Sequence, residues 1–146
     1  MVDSYLHIAS LLVVSFLFGG MLLFSAGFAA FLFKHLPPAD ARMLIRKAFP
    51  SFYLFVIVSS GIGTVVSFPI DHFTDAWMAI VMGTTIAARQ LLMPAINQAT
   101  DLGLKKRFFW LHGFSIVVTL GHIFLAAAVL THIASNSQPG GLALIG

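Results

Sequence analysis

Four long apolar stretches, separated by three short polar connections, organise this chain. The first runs from about Tyr5 to Phe33 and is interrupted only by small residues such as Gly19, Gly20, Ser25 and Gly27. The second runs from Pro50 to Phe68, the third from about Ala76 to Asn97, and the fourth from about Phe108 to Ile133. Crossing a hydrocarbon layer of about 30 Å takes roughly 20 helical residues, so each stretch reaches that length, the second with least to spare. Pro50 suits the first turn of a helix, where its missing N–H costs nothing. Trp77 and Trp110 stand at span edges, where indole rings favour the headgroup boundary. None of the runs alternates polar and apolar residues with a period of two, which excludes membrane strands. The pattern predicts an all-α protein, an integral membrane four-helix bundle forming a single membrane domain over residues 1–146.

Composition removes the soluble alternative. Hydrophobic residues make up 59% of the chain and charged ones 9%, against about 25% charged in a globular protein, leaving too little polar surface to cover four apolar helices. The formal charge of +3 is a topology signal. Lys34, Arg42, Arg46 and Lys47 fall in the first connection, and Lys105, Lys106 and Arg107 in the third. The second connection holds Asp71 and Asp75 with no cation. Because short cytoplasmic loops collect Lys and Arg, connections one and three belong to the cytoplasm and both termini to the non-cytoplasmic side. That placement accounts for the basic balance without nucleic acid, and the expected location is a bacterial inner membrane.

The N-terminus carries Asp3 and no cation before its apolar stretch, so it reads as a retained helix and not a secretory signal. Within the first connection, Met43, Leu44 and Phe49 can share one side of a short helix after Pro38, with Arg42, Arg46 and Lys47 toward the other. Such a segment either lies on anionic headgroups or serves as a solvated connector into span two. Residues 135–146, rich in Gly, Pro and Ser, are expected to be flexible. Small residues let helices approach closely in lipid, and the candidates are Ser15 with Gly19, Ser59 with Gly63, Ser60 with Thr64, and Gly83 with Ala87. They suit packing within the chain or contact with another subunit, including a second copy.

Chemistry inside the spans is sparse. There is no cysteine and no glutamate, and the five aspartates fall in connections or at span edges. The interior therefore holds no carboxylate, which argues against a carboxylate proton relay or a Glu/His di-iron bundle. Arg89 is the one cation within a span, roughly 18 Å along the third helix from Trp77. Pro94 cannot donate to the carbonyl of Gln90, leaving an acceptor for Arg89 or water. On the fourth span, His112, Ser115, Thr119 and His122 fall within an arc of about 80°, forming a polar stripe. Antiparallel counting puts His112 near the level of Arg89 and His122 near Met78 and Met82. These methionines share a face of the third helix with Arg89 and Met93. Thioethers beside an imidazole suit Cu(I), and Met with His is an axial pair for haem, so a haem b or copper site at His122, Met78 and Met82 is one expectation. The other is ordinary packing, with methionine as filler and histidine as a hydrogen-bonded side chain. His7 and His132 fall near the outer ends of spans one and four, where the two can meet.

Three stretches carry a resemblance: GGMLLFSAGFAAFLFKHLP closing span one, IRKAFPSFY entering span two, and LLMPAINQATD followed by KKRFFWLHGFSIVVTLGHI in spans three and four. Over most of residues 10 to 130 the chain resembles an uncharacterised family of small four-helix membrane proteins, the bacterial relatives of transmembrane protein 205. That family looks distantly like the membrane domain of copper-resistance protein D. The resemblance implies a fold and a membrane location and lends no settled activity. The layout also resembles, more loosely, the bacterial four-helix protoporphyrinogen oxidase, whose Leu-Pro-Arg signature is missing here. The reading that best fits this poverty of chemistry is an accessory or structural subunit of a larger membrane complex, surrounded by lipid. A haem- or copper-binding protein and a small-solute or metal permease are the alternatives.

Overall fold

The computed structural model describes residues 2–136; of the expected flexible tail 135–146, Ser135 and Asn136 continue the last helix, and the rest lies outside the described residues. Four helices, each long and apolar enough to cross a membrane, follow one another: α1 Val2–His35, α2 Pro38–Ser67, α3 His72–Asp101 and α4 Lys105–Asn136. Three short connections reverse the chain, so neighbours in sequence run antiparallel. α1 packs on α2, α2 on α3, α3 on α4, and α4 returns to α1, closing a ring of four.

All four helices extend past the apolar cores that mark them in the sequence. The largest extension is in α2, which starts at Pro38 with Pro37 as its cap residue and continues through Pro50. Pro38 takes the first-turn position where a missing N–H is harmless, and the Ala, Met, Leu, Arg and Lys residues that follow are good helix formers. Pro50 therefore sits inside a helix instead of opening one, and the residues before it form the first turns of α2 in place of a separate interfacial segment. The cost at Pro50 is met by aromatic packing. Phe52 stacks on Phe24 with centroids 4.1 Å apart, and Phe49 and Tyr53 lie against each other one turn along.

Two helices widen locally into π turns, over Leu23–Phe28 in α1 and Ala88–Leu92 in α3. The second has a clear cause. Pro94 has no N–H for the carbonyl of Gln90 and crowds it, and the wider turn lets the Met93 N–H bond to the carbonyl of Ala88 instead. The helix continues past the proline with a local change of pitch.

The connections are fixed by their own chemistry. Asp71 caps α3: its carboxylate accepts from the Phe73 N–H at 3.1 Å and from the Thr74 hydroxyl at 2.6 Å. α3 ends at Gly103, whose φ of +65° is the left-handed conformation that glycine adopts without strain. The Leu104 N–H then closes back on the Ala99 carbonyl at 2.9 Å and releases the chain into α4.

The core is mainly apolar, with Leu17 and Met21 of α1, Val56 of α2, Met78 and Val81 of α3 and Val129 of α4 essentially sealed from solvent. Closest approach is between α2 and α3, where Ser59, Ser60 and Gly63 are buried. The Met78 side chain lies over Gly63 and the Met82 sulfur over Gly61. Two of the expected small-residue pairs thus fall inside the bundle, whereas Ser15, Gly19, Gly83 and Ala87 face outward. The exterior is strongly apolar, with Phe16, Val65, Leu91, Phe109 and Phe124 among its most exposed side chains. One end of the bundle carries the cations of the first and third connections, and Arg46 there grips Asp101 through two hydrogen bonds of 2.6 and 2.8 Å. The opposite end holds Asp71, whose carboxylate lies 3.1 Å from His132.

Candidate functional site

One group of interior polar side chains surrounds a cavity where all four helices meet. Tyr53 of α2, Thr85 of α3, and Ser115, Thr119 and His122 of α4 line a cavity of about 10 Å³, with Met21 of α1 and apolar side chains completing the wall. That is room for about one water molecule.

The two threonine hydroxyls have a local reason to be tolerated there. Thr85 donates to the Val81 carbonyl at 2.6 Å and Thr119 to the Ser115 carbonyl at 3.0 Å, the back-bonding that lets Ser and Thr sit in apolar helices. Thr84, next to Thr85, donates to the Ile80 carbonyl at 2.6 Å and also meets His122 Nε2 at 2.8 Å. Its hydroxyl proton serves one acceptor at a time, so with Thr84 back-bonded the imidazole Nε2–H donates to Oγ1. Among the described residues no buried side-chain nitrogen or oxygen is left without a partner.

The structure divides the polar stripe expected on α4. Ser115, Thr119 and His122 share the cavity, while His112 lies on the exposed side, stacked on Phe108 at 5.2 Å and 10°. The Thr84–His122 bond also sets the α3–α4 register, which brings Ser115 and Thr119, more than His112, to the level of Arg89. In that register Met82 lies near the level of His122 and Met78 more than a turn further toward the start of α3, and neither is in the cavity wall. Met78 is fully buried over Gly63, and Met82 rests on Gly61. Arg89 is half-buried in the π turn of α3, and Gln90 beside it is exposed. Neither side chain makes a hydrogen bond or ion pair among the described residues. No three of His, Cys, Asp and Glu cluster as metal ligands among the described residues. His132, expected near His7, pairs instead with Asp71 and lies on Phe73 with centroids 4.4 Å apart.

Sequence reasoning missed Tyr53, Thr84 and Thr85. The adjacent threonines were the available signal, because antiparallel counting puts them at the level of His122. Tyr53 gave a weaker one, a phenol within an apolar run.

Comparison with known proteins yields one match. The family model described as a domain of unknown function, DUF4149, matches residues 12–105. The match takes in most of α1, all of α2 and α3, and stops at the first residue of α4, so Ser115, Thr119 and His122 lie beyond it. No curated protein and no solved structure matches.

Proposed function

The chain belongs to the DUF4149 family, and we propose on that premise that it is a non-catalytic integral membrane subunit that packs against other membrane proteins within a larger complex. The observation that carries this reading is Gln90. It is an exposed amide midway along α3 with no hydrogen-bond partner among the described residues, on the face that also carries Gly83 and Ala87. No atom lies within 4 Å of where a side chain at Gly83 would begin. A polar group at that depth gains most from a hydrogen bond to another helix, and small residues beside it allow the close approach that bond needs. The interior supports the same reading, because Thr85 and Thr119 of the cavity donate to helix carbonyls and the cavity has room for about one water.

The cationic end of the bundle belongs to the cytoplasm in this proposal and both termini to the opposite side, within a bacterial inner membrane. The kinship with relatives of transmembrane protein 205 and copper-resistance protein D is part of the same proposal. A copper or haem site at His122, Met78 and Met82 is the weaker reading, since the two methionines are engaged against α2 glycines. A permease is weaker too, because the interior cavity has room for about one water.

The test is extraction of the full chain in mild detergent, followed by size analysis and identification of co-migrating subunits. A stoichiometric partner, or a defined homo-oligomer, that dissociates on Gly83→Leu or Gln90→Leu is the expected result. A wild-type monomer overturns the proposal. An optical spectrum and metal analysis of the same sample decide the cofactor alternative, for which a Soret band or stoichiometric copper lost on His122→Ala is required.

A further inference from the structure

Beyond packing, the cationic end carries a feature that the reading above does not use. Gly103, Leu104, Lys105, Lys106, Arg107 and Trp110 line an open concavity of about 590 Å³ where α3 turns into α4. Its three cations are consecutive, exposed and unpaired among the described residues. The nearest acid along the chain, Asp101, is already engaged by both arms of the Arg46 guanidinium.

This local arrangement is unfavourable by itself. Three like charges in a row repel, and they stand on the first turn of α4, where the helix dipole disfavours cations. The N–H groups of Lys106 and Arg107 also find no acceptor among the described residues; the first closing bond is from Phe108 to the Leu104 carbonyl at 2.9 Å. An anion in the concavity relieves all three costs together. Trp110, 67% exposed one turn further along α4, adds an apolar wall, and Leu104 is 41% exposed on the other side. Cations above an indole and an aliphatic side chain complement a phosphate joined to acyl chains.

We propose that this concavity binds the headgroup of an anionic phospholipid of the adjacent leaflet, with Lys105, Lys106 and Arg107 holding its phosphate and Trp110 lying along its glycerol and upper acyl region. The partner is a lipid and not a soluble phosphate because the same concavity offers both the charge and the apolar wall. It is independent of whether α3 docks a protein partner.

The experiment uses the full-length chain with Trp77→Phe, so that Trp110 is the sole indole, reconstituted in phosphatidylcholine vesicles. Phosphatidylglycerol or phosphatidylcholine carrying bromine high on its acyl chains is then titrated in. Trp110 quenching is expected at a lower mole fraction of brominated phosphatidylglycerol than of brominated phosphatidylcholine. Each cation removed, as in Arg107→Gln alone or with Lys105→Gln and Lys106→Gln, is expected to weaken the preference about fivefold. The single variant keeps the test valid if the triple one does not insert. The pair Arg42→Gln and Lys47→Gln, on α2, should leave the preference in place. Equal quenching by the two lipids overturns the proposal. So does a preference lost equally in the α2 variants, which would mean general surface attraction, or one erased by millimolar inorganic phosphate, which would mean a phosphate site.

Discussion

Ser10 and Ser67, 57 positions apart in sequence, share a hydrogen bond of 2.7 Å in which both residues are buried. The pair ties α1 to the last turn of α2, near the non-cationic end of the bundle. Neither hydroxyl is visible as functional in the sequence, since each lies in or beside an apolar run. Removing one partner strands the other in a place that water does not reach, at a cost of about 1–3 kcal/mol. Ser10→Ala and Ser67→Ala should each lower the thermal midpoint, and the double variant should cost less than the sum of the two. Additive losses in a double-mutant cycle would show that the bond contributes nothing.

Adjacent glycines on α1 should respond in opposite ways. A Cβ at Gly20 would fall inside the Phe55 ring, whereas at Gly19 it would meet nothing within 4 Å. Phe55 is not free to leave, being held edge-on by Phe16 with centroids 5.2 Å apart. Gly20→Ala is expected to destabilise by about 1–3 kcal/mol through overpacking. Gly19→Ala should be neutral or slightly stabilising, by up to about 1 kcal/mol of helix propensity. A second change, Phe55→Leu, should recover part of the Gly20→Ala loss; unfolding of purified variants in detergent measures all three.

Acid should weaken the non-cationic end first. Partial burial disfavours the charge of Asp71, but hydrogen bonds from the Thr74 hydroxyl and the Phe73 N–H, with a positive His132 nearby, outweigh it and hold the carboxyl below its ordinary value. A lowered value in the folded state means that the ionised carboxylate contributes stability above the ordinary aspartate range. That contribution disappears as pH falls through the folded-state value. Stability should therefore fall below about pH 4, and Asp71→Asn should flatten the fall while lowering stability at neutral pH. An unchanged acid limb in Asp71→Asn would assign the loss to other groups.

The lack of cysteine makes topology directly measurable. Ala39→Cys stands at the start of α2 on the cationic end, and His72→Cys at the start of α3 on the other; both positions are exposed. In intact cells an impermeant thiol reagent should label His72→Cys and reach Ala39→Cys only after the membrane is opened. The reverse pattern would invert the orientation.

The sequence by itself determined the number of helices, their antiparallel order and the gathering of cations at one end. These follow from local quantities: the length of each apolar run, and the cost of unbonded peptide groups in hydrocarbon, which makes a helix the only economical form for such a run. Pro38 in the first turn of α2, the Asp71 cap and the left-handed Gly103 are likewise local and sit where residue chemistry puts them. Tertiary structure decided what faces what. An all-round apolar helix has no marked inner face, so its sequence could not say that Ser59 and Gly63 turn inward while Gly83 and Ala87 turn out, or that Met78 packs on Gly63 instead of lining the cavity with His122. Pro50 followed the same logic. Its own chemistry favours a helix start, and only the preceding turns from Pro38, with Phe24 stacked against Phe52, carry a continuous helix through it. The cavity too belongs to the assembled bundle, because Tyr53, Thr85 and His122 come from three helices whose rotation and register no single segment encodes.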